Sequence, residues 1–386
     1  MSNKIVVMLP GTTGTTLVNS LDASIWPDAV VATAKVSKIA ALALLKSRLT
    51  PSKPMGWDRK DKGYGVLANY FATELGFKTA CASYFDKNWG LPSSLDSDLL
   101  IGFPYDWRQD NSSAAVTFRS FLSSVYSTYG DTYEMYLVAH SMGGILARAY
   151  LETGHNKEDA WYDNIKGLIT MGTPHLGAPL ALDAMLGQDL SEVSSLMTGN
   201  FATVVHDFVN DDYSDSTYEL LPPDLQGLSE TQFISANGNS YSMFDGLPSD
   251  VINILNEDGF NWGNLKKAQA FFDTLIYNEP PAWLPDYYCI YGITSAAVPK
   301  IPDNASTCES FTLTEDKLVD NWVEESGDHI VPKWSAVFEG RPVSDTYSPP
   351  QNVNHFDLPT SECILWKVAT WLGYSPSQPD QCTSPD

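Results

Sequence analysis

The run Met135-Tyr-Leu-Val-Ala-His-Ser-Met-Gly-Gly144 constrains this chain more than any other segment. Its apolar start reads as a buried strand. The strand ends at His140-Ser141-Met142 with no linker, and Gly143-Gly144 open a helical pattern that reaches Leu151. A strand turning this sharply into a helix strains the residue at the corner, Ser141. The residues two before and two after it must then be small, and they are Ala139 and Gly143. Strand and following helix are one half of a parallel crossover unit.

The first half of the chain repeats that alternation. Ile5–Leu9, Lys78–Tyr84, Leu99–Phe103 and Leu168–Met171 read as strands. Gly65–Leu75 reads as a helix closed by Gly76, and Ser112–Tyr129 as a helix started by Asp110 or Asn111 and stopped by Gly130. Such alternation predicts an α/β domain whose mostly parallel sheet is covered by helices on both faces. Strand-like runs resume at Tyr287–Tyr291 and Trp334–Phe338, and a last helix is expected over Ser361–Leu372, ended by Gly373. Two stretches fit no simple crossover: Ala23–Lys62 and Leu180–Tyr277. They are read as insertions, 23–62 and 180–277, in a single domain spanning 1–386.

Charge narrows the function. The chain has 386 residues and a net charge of −24, which excludes most nucleic-acid binders, since these need basic surface. No apolar run approaches the roughly 18–20 residues of a membrane-spanning helix. The exception to the acidity is Val30–Lys60, which carries Lys35, Lys38, Lys46, Arg48, Lys53, Arg59 and Lys60 against Asp58. A helix is expected over Ala32–Leu49. This basic stretch is the place to look for contact with a lipid interface or an anionic substrate group.

Ser141 at a strand–elbow–helix corner is the setting of a nucleophilic serine in the α/β-hydrolase fold. A serine hydroxyl needs a base, and the base needs an orienting acid. In this fold the order along the chain is serine, acid, histidine. His329 and His355 are the histidines late enough to serve. Asp328 lies in the turn Ser326-Gly-Asp-His-Ile-Val-Pro332, and His355 in a polar loop before the last helix. The assignment is therefore Ser141 nucleophile, Asp328 acid and His355 base. The other readings are a turn aspartate and a surface histidine. His140 and His175 are expected to pack or hydrogen-bond near the site.

An oxyanion needs backbone N–H donors already in place. Met142, at the start of a helix, supplies one, helped by the macrodipole. Leu9-Pro-Gly-Thr-Thr-Gly-Thr-Thr16 is suited to supply the other, from Thr12, with Thr13 the competitor. No catalytic metal motif is visible and no cofactor is expected. The acidic loop Asp207–Asp215 reads either as a solvated loop or as a structural calcium site.

None of the five cysteines forms a Cys-x-x-Cys pair. Cys81 reads as a free core thiol. Cys289 with Cys308, and Cys363 with Cys382, are the local pairs open to disulfide formation. Asn111-Ser-Ser and Asn304-Ala-Ser fit the glycosylation pattern. These features favour secretion, with a cytoplasmic location left open. The N-terminal apolar run, Ile5–Leu9, is too short for a signal-peptide core.

Taken together, Leu9-Pro-Gly-Thr-Thr-Gly, Pro104-Tyr-Asp-Trp-Arg108, Ala139-His-Ser-Met-Gly-Gly144, Gly172-Thr-Pro-His-Leu-Gly-Ala-Pro179, Tyr218-Glu-Leu-Leu-Pro222, Gly327-Asp-His-Ile-Val-Pro332 and Asn354-His355 resemble the lecithin:cholesterol acyltransferase-like family of α/β-hydrolases. The resemblance implies the Ser–Asp–His triad on the positions above and the oxyanion donor at Thr12. It also implies that the insertions form a membrane-contacting cap and a lid. Ala139, where the family commonly has glycine, and the cysteine placement depart from the pattern. Asp106 and Arg108 are expected to pair and fix the loop bordering the site. The expected activity is a serine carboxyl-ester hydrolase acting on lipid or other hydrophobic acyl esters. The alternatives are an acyltransferase using an alcohol acceptor, and a non-catalytic binding protein on the same scaffold.

Overall fold

The structure is a computed structural model that describes residues 2–35, 37–187, 200–294, 305–314, 317–324 and 326–383. Its centre is a seven-stranded sheet. In spatial order the strands are Asp345–Tyr347, Asp286–Ile290, Ile165–Met171, Tyr133–His140, Asn3–Leu9, Leu99–Gly102 and Lys78–Cys81. Every neighbouring pair runs parallel. Asn3–Leu9 lies beside Tyr133–His140 with Leu9 opposite Ala139, so both strands end together at one edge.

Continuous apolar runs arise because both faces are buried. Ile5, Val7 and Leu9 enter one core cluster with Phe118, Phe121 and Leu122 of the helix Asn111–Tyr129. Val6 and Met8 enter the other with Leu67 and Phe71 of the helix Tyr64–Glu74 and Val368 of the helix Glu362–Trp371. Asp110 caps the helix Asn111–Tyr129 by accepting from the Ser113 N–H, and Gly130 ends it. This is the α/β-hydrolase arrangement.

Three expectations are corrected. Trp334–Phe338 is not a strand. Pro332 starts the short helix Lys333–Ala336 there, and the sheet's outer strand is Asp345–Tyr347. The basic segment is not one helix but two, Asp28–Ala34 and Lys38–Leu45; the Ser37 side chain caps the second. Cys289 and Cys308 are both free and buried, because they sit in strands of different sheets. The Cys363–Cys382 disulfide is formed.

The insertions have structure of their own. Thr15–Val18, Ser24–Trp26 and Thr50–Pro54 form a three-stranded antiparallel sheet around the two short helices. Among the described residues of the second insertion are the helices Ala181–Leu186, Asn200–Val209, Ser249–Glu257 and Trp262–Phe272. A hairpin, Ala305–Leu313 with Leu318–Glu324, adds to its strands Ile234–Ala236 and Asn239–Tyr241 as a four-stranded sheet. The two insertions touch each other, and Lys46 pairs with Asp211 across them. The acidic loop is thus partly neutralised by the basic segment. Asp215 pairs with Lys267, and Asp212 accepts from the Asn261 side chain.

Arg108 binds Asp106 through two nitrogens and donates to the backbone carbonyls of Leu45 and Ser47. That pair therefore fastens the first insertion to the body. The end of the second insertion is held by a buried cluster. Arg148 and Arg341 share the Glu152 carboxylate, and Ile276 donates to Glu152 while its carbonyl accepts from both arginines. Removing Glu152 would strand two buried guanidiniums, which is a costly change.

Candidate active site

The elbow is present. Ser141 has φ 53° and ψ −131°, and the helix Met142–Leu151 begins at the next residue. A Cβ at Gly143 would lie 2.5 Å from the Leu9 carbonyl oxygen, so only glycine lets the helix start this close to the first strand. The Ser141 N–H donates to the Met171 carbonyl (2.9 Å), and the Thr173 hydroxyl donates to the Ser141 carbonyl (2.9 Å).

Three side chains converge from distant parts of the chain. Ser141 Oγ lies 2.8 Å from His355 Nε2, and His355 Nδ1 lies 2.8 Å from Asp328 Oδ2. All three residues are buried. Asp328 is fixed from its other oxygen, which accepts from the Ile330 (3.1 Å) and Val331 (2.8 Å) N–H groups across a turn with His329 at φ 80°. The hairpin Ala305–Glu324 separates this turn from the sheet strand Asp286–Ile290 along the chain. The Thr294 N–H returns it to the strand's end by donating to the Gly327 carbonyl (3.0 Å). The His355 N–H donates to the Asp328 carbonyl, so the two residues are joined through backbone as well as side chain.

Thr12 and Met142 sit side by side: the Thr12 hydroxyl contacts the Met142 sulfur at 3.4 Å. Among the described residues neither backbone N–H has a protein partner. Gly11-Thr-Thr-Gly14 is a tight turn, with the Gly14 N–H on the Gly11 carbonyl and Thr13 at φ 61°. Thr12 is the second residue of this turn, and its N–H takes no part in the Gly14–Gly11 bond that closes it. The Thr13 carbonyl accepts from the Trp26 indole (2.9 Å), which ties this turn to the first insertion.

Several residues that hold the site were not singled out from sequence. Tyr64 accepts the Gly11 N–H (2.9 Å) and lies 2.8 Å from His140 Nδ1. Tyr105 donates to the Pro10 carbonyl (2.9 Å), although its motif drew attention to Asp106 and Arg108. Gly172, at φ +58°, ends the strand Ile165–Met171; a Cβ there would lie 2.8 Å from Asp328 Oδ2 and 3.0 Å from His355 Nδ1. Tyr105 and Gly172 had a sequence signal, each as part of a matching motif, and Tyr64 had none. His140 does bond within the site: its Nε2 lies 2.9 Å from the His355 carbonyl. Burial, and then the neighbouring His355, push its pKa down to about 3. His175 is stacked on Phe338 and set 3.0 Å from the Thr170 hydroxyl. Burial, and then Arg148 and Arg341, hold it well below the usual histidine range.

As for metals, no group of three or more possible ligands occurs among the described residues. Nor is any described helix long and apolar enough to cross a membrane.

Comparison with curated protein sequences yields no match. Among solved structures, the chain is similar to the mature form of the Bacillus licheniformis lipase BlEst2, at 14% identity and a TM-score of 0.40, covering 96% of this chain and 92% of that one. It is also similar to lipase 1 from Pelosinus fermentans, at 12% identity and a TM-score of 0.41, covering 98% and 100%. Residues 94–267 match the family model described as lecithin:cholesterol acyltransferase. That segment holds the Pro104–Arg108, Ala139–Gly144, Gly172–Pro179 and Tyr218–Pro222 motifs that resemble the same family.

Proposed function

We propose that the protein is a serine carboxyl-ester hydrolase acting on lipid or other hydrophobic acyl esters. The observation that carries this reading is the unbroken hydrogen-bonded line Ser141–His355–Asp328 at the end of the sheet. The carboxylate accepts the His355 Nδ1–H, which leaves Nε2 with a lone pair aimed at the Ser141 hydroxyl. Ser141 Oγ attacks the ester carbonyl as His355 takes its proton. The oxyanion is held by the Thr12 and Met142 N–H groups. His355 then gives the proton to the leaving alkoxide oxygen, and an acyl-Ser141 remains. Water, deprotonated by the same imidazole, attacks the acyl group and regenerates the serine.

The family name supports a second reading, in which an alcohol replaces water in the last step. The same residues serve both, and the acceptor decides. A binding protein without catalysis fits less well, since such a scaffold has no use for a strained serine hydrogen-bonded to an imidazole.

Hydrolysis of chromogenic acyl esters by wild type and Ser141→Ala tests the reading. The variant is expected to lose about 10⁴-fold or more in kcat. Near wild-type turnover would end the proposal. Adding a lipid alcohol to the assay and analysing products separates hydrolysis from transfer.

A further inference from the structure

We infer that Tyr64 and His140 form a positioning bridge that sets the oxyanion loop against the catalytic base. The inference rests on the hydrolase reading above and concerns groups that reading does not use.

The direction of every hydrogen in the bridge follows from chemistry. The His355 carbonyl can only accept, so His140 Nε2 carries a proton. The ring is buried and neutral, so Nδ1 is the acceptor. Tyr64 must then donate its hydroxyl proton to Nδ1 across 2.8 Å. Its oxygen is left to accept the Gly11 N–H across 2.9 Å. The line therefore runs Gly11 N–H, Tyr64 O–H, His140 ring, His355 carbonyl, with no spare donor between its ends. Tyr64 is 53 residues from Gly11 and 76 from His140, and His140 is 215 from His355.

The placement of the two ends gives the bridge its use. One end is the peptide N–H next to Thr12, the proposed oxyanion donor. The other is the backbone of the base itself. Its middle residue directly precedes the nucleophile. The tyrosine ring meets the His140 ring edge-on at 5.8 Å, and the His140 and His355 rings are 4.8 Å apart. Oxyanion donor, nucleophile and base are thus spaced by one buried line, and a misplacement of about 1 Å at such a site can cost about 100-fold in rate.

The test uses the full chain and a short chromogenic ester. Tyr64→Phe removes one oxygen and keeps the ring. The expected result is a 10- to 100-fold lower kcat, with KM within about twofold. His140→Phe should behave alike, and the double variant should be no slower than the slower single. His140→Gln, whose amide can both donate to the His355 carbonyl and accept from Tyr64, should recover activity to within about fivefold of wild type. Wild-type kcat in Tyr64→Phe, an effect confined to KM or to thermal stability, multiplying losses in the double variant, or a His140→Gln as slow as His140→Phe would each overturn the bridge. If Tyr64→Phe does not fold, the Gln–Phe contrast at position 140 decides alone. Ser141→Ala keeps the two ideas apart. If it stays active, the hydrolase reading falls; if it is inactive while Tyr64→Phe is fully active, only the bridge falls.

Discussion

At the scale of single residues, the site depends on positions where one atom decides the outcome. Gly172 is the sharpest case. Its left-handed backbone and its closeness to the Asp328–His355 pair leave no room for a methyl group. Gly172→Ala is expected to cost about 1–3 kcal/mol in stability and about 100-fold in kcat, measured by urea titration and ester hydrolysis. His140 gives a pH prediction. It is neutral when folded, with Tyr64 and His355 facing it, and takes a proton at about 6.5 once unfolded. Protons therefore favour the unfolded chain. The stability that this group contributes is present above about pH 6.5 and is lost as pH falls towards 3, by up to about 1.4 kcal/mol per pH unit. Chemical denaturation from pH 7 to 4 should show a shallower slope in His140→Gln than in wild type.

At the scale of elements, the start of the helix Asn111–Tyr129 is coupled to the second insertion. The Glu219 carboxylate accepts both the backbone and the side-chain N–H of Asn111 (2.8 and 2.6 Å). Burial raises its pKa to about 8, against the lowering effect of those two bonds. The folded state thus holds this proton more tightly than the unfolded one. Stability from this group is full below about pH 4.5 and is lost as pH rises towards 8. Glu219→Gln should be more stable than wild type at pH 8.5 and lose that advantage at pH 5, by thermal melts at both values. Asn111 itself is buried and engaged, so its glycosylation pattern lies on an inaccessible side chain in this fold; Asn304 falls outside the described residues. At the other end of the chain, Cys363–Cys382 ties the segment after the last helix back to its first turn, 19 residues apart. Cys382→Ser should lower stability by about 2–4 kcal/mol. If unfolding midpoints are unchanged, the tie contributes nothing.

At the scale of the whole molecule, the charge pattern reads differently once folded. Lys46, Lys53 and Arg59 of the basic segment have acidic partners in Asp211, Asp58 and Asp61. Lys35, at the end of the helix Asp28–Ala34, and Lys38, at the start of the helix Lys38–Leu45, are both exposed, Lys38 donating to the Thr203 hydroxyl, and Ile39 is 84% exposed. This places the proposed contact with a lipid interface on Lys35, Lys38 and Ile39 rather than on Lys46. Neutralising Lys35 and Lys38 is expected to weaken binding to anionic vesicles several-fold at low salt. Equal vesicle binding by wild type and the double variant would remove that contact.

The same scale separates what the chain declares from what folding adds. The elbow was legible because a strand, a strained serine and a helix are consecutive, and short-range sterics alone require the small residue at position 143. The pairing of Asp328 with His355 was legible because chain order in this kind of sheet leaves few candidates. Trp334–Phe338 misled because a short apolar run does not reveal its period, and Pro332 starts a helix as readily as it ends a strand. Cys289 and Cys308 misled because nearness in sequence says nothing about which sheet a strand joins. Tyr64 stands just before the helix expected at Gly65–Leu75 and carries no signal of its own. It becomes part of the site only when three segments meet around its hydroxyl. The sequence by itself determined the inner strands of the sheet, the corner and the chemical groups, since these follow from local periodicity and backbone sterics. Tertiary structure alone decided which buried donors and acceptors face one another, because a hydrogen bond depends on distances of tenths of an ångström between residues far apart in the chain.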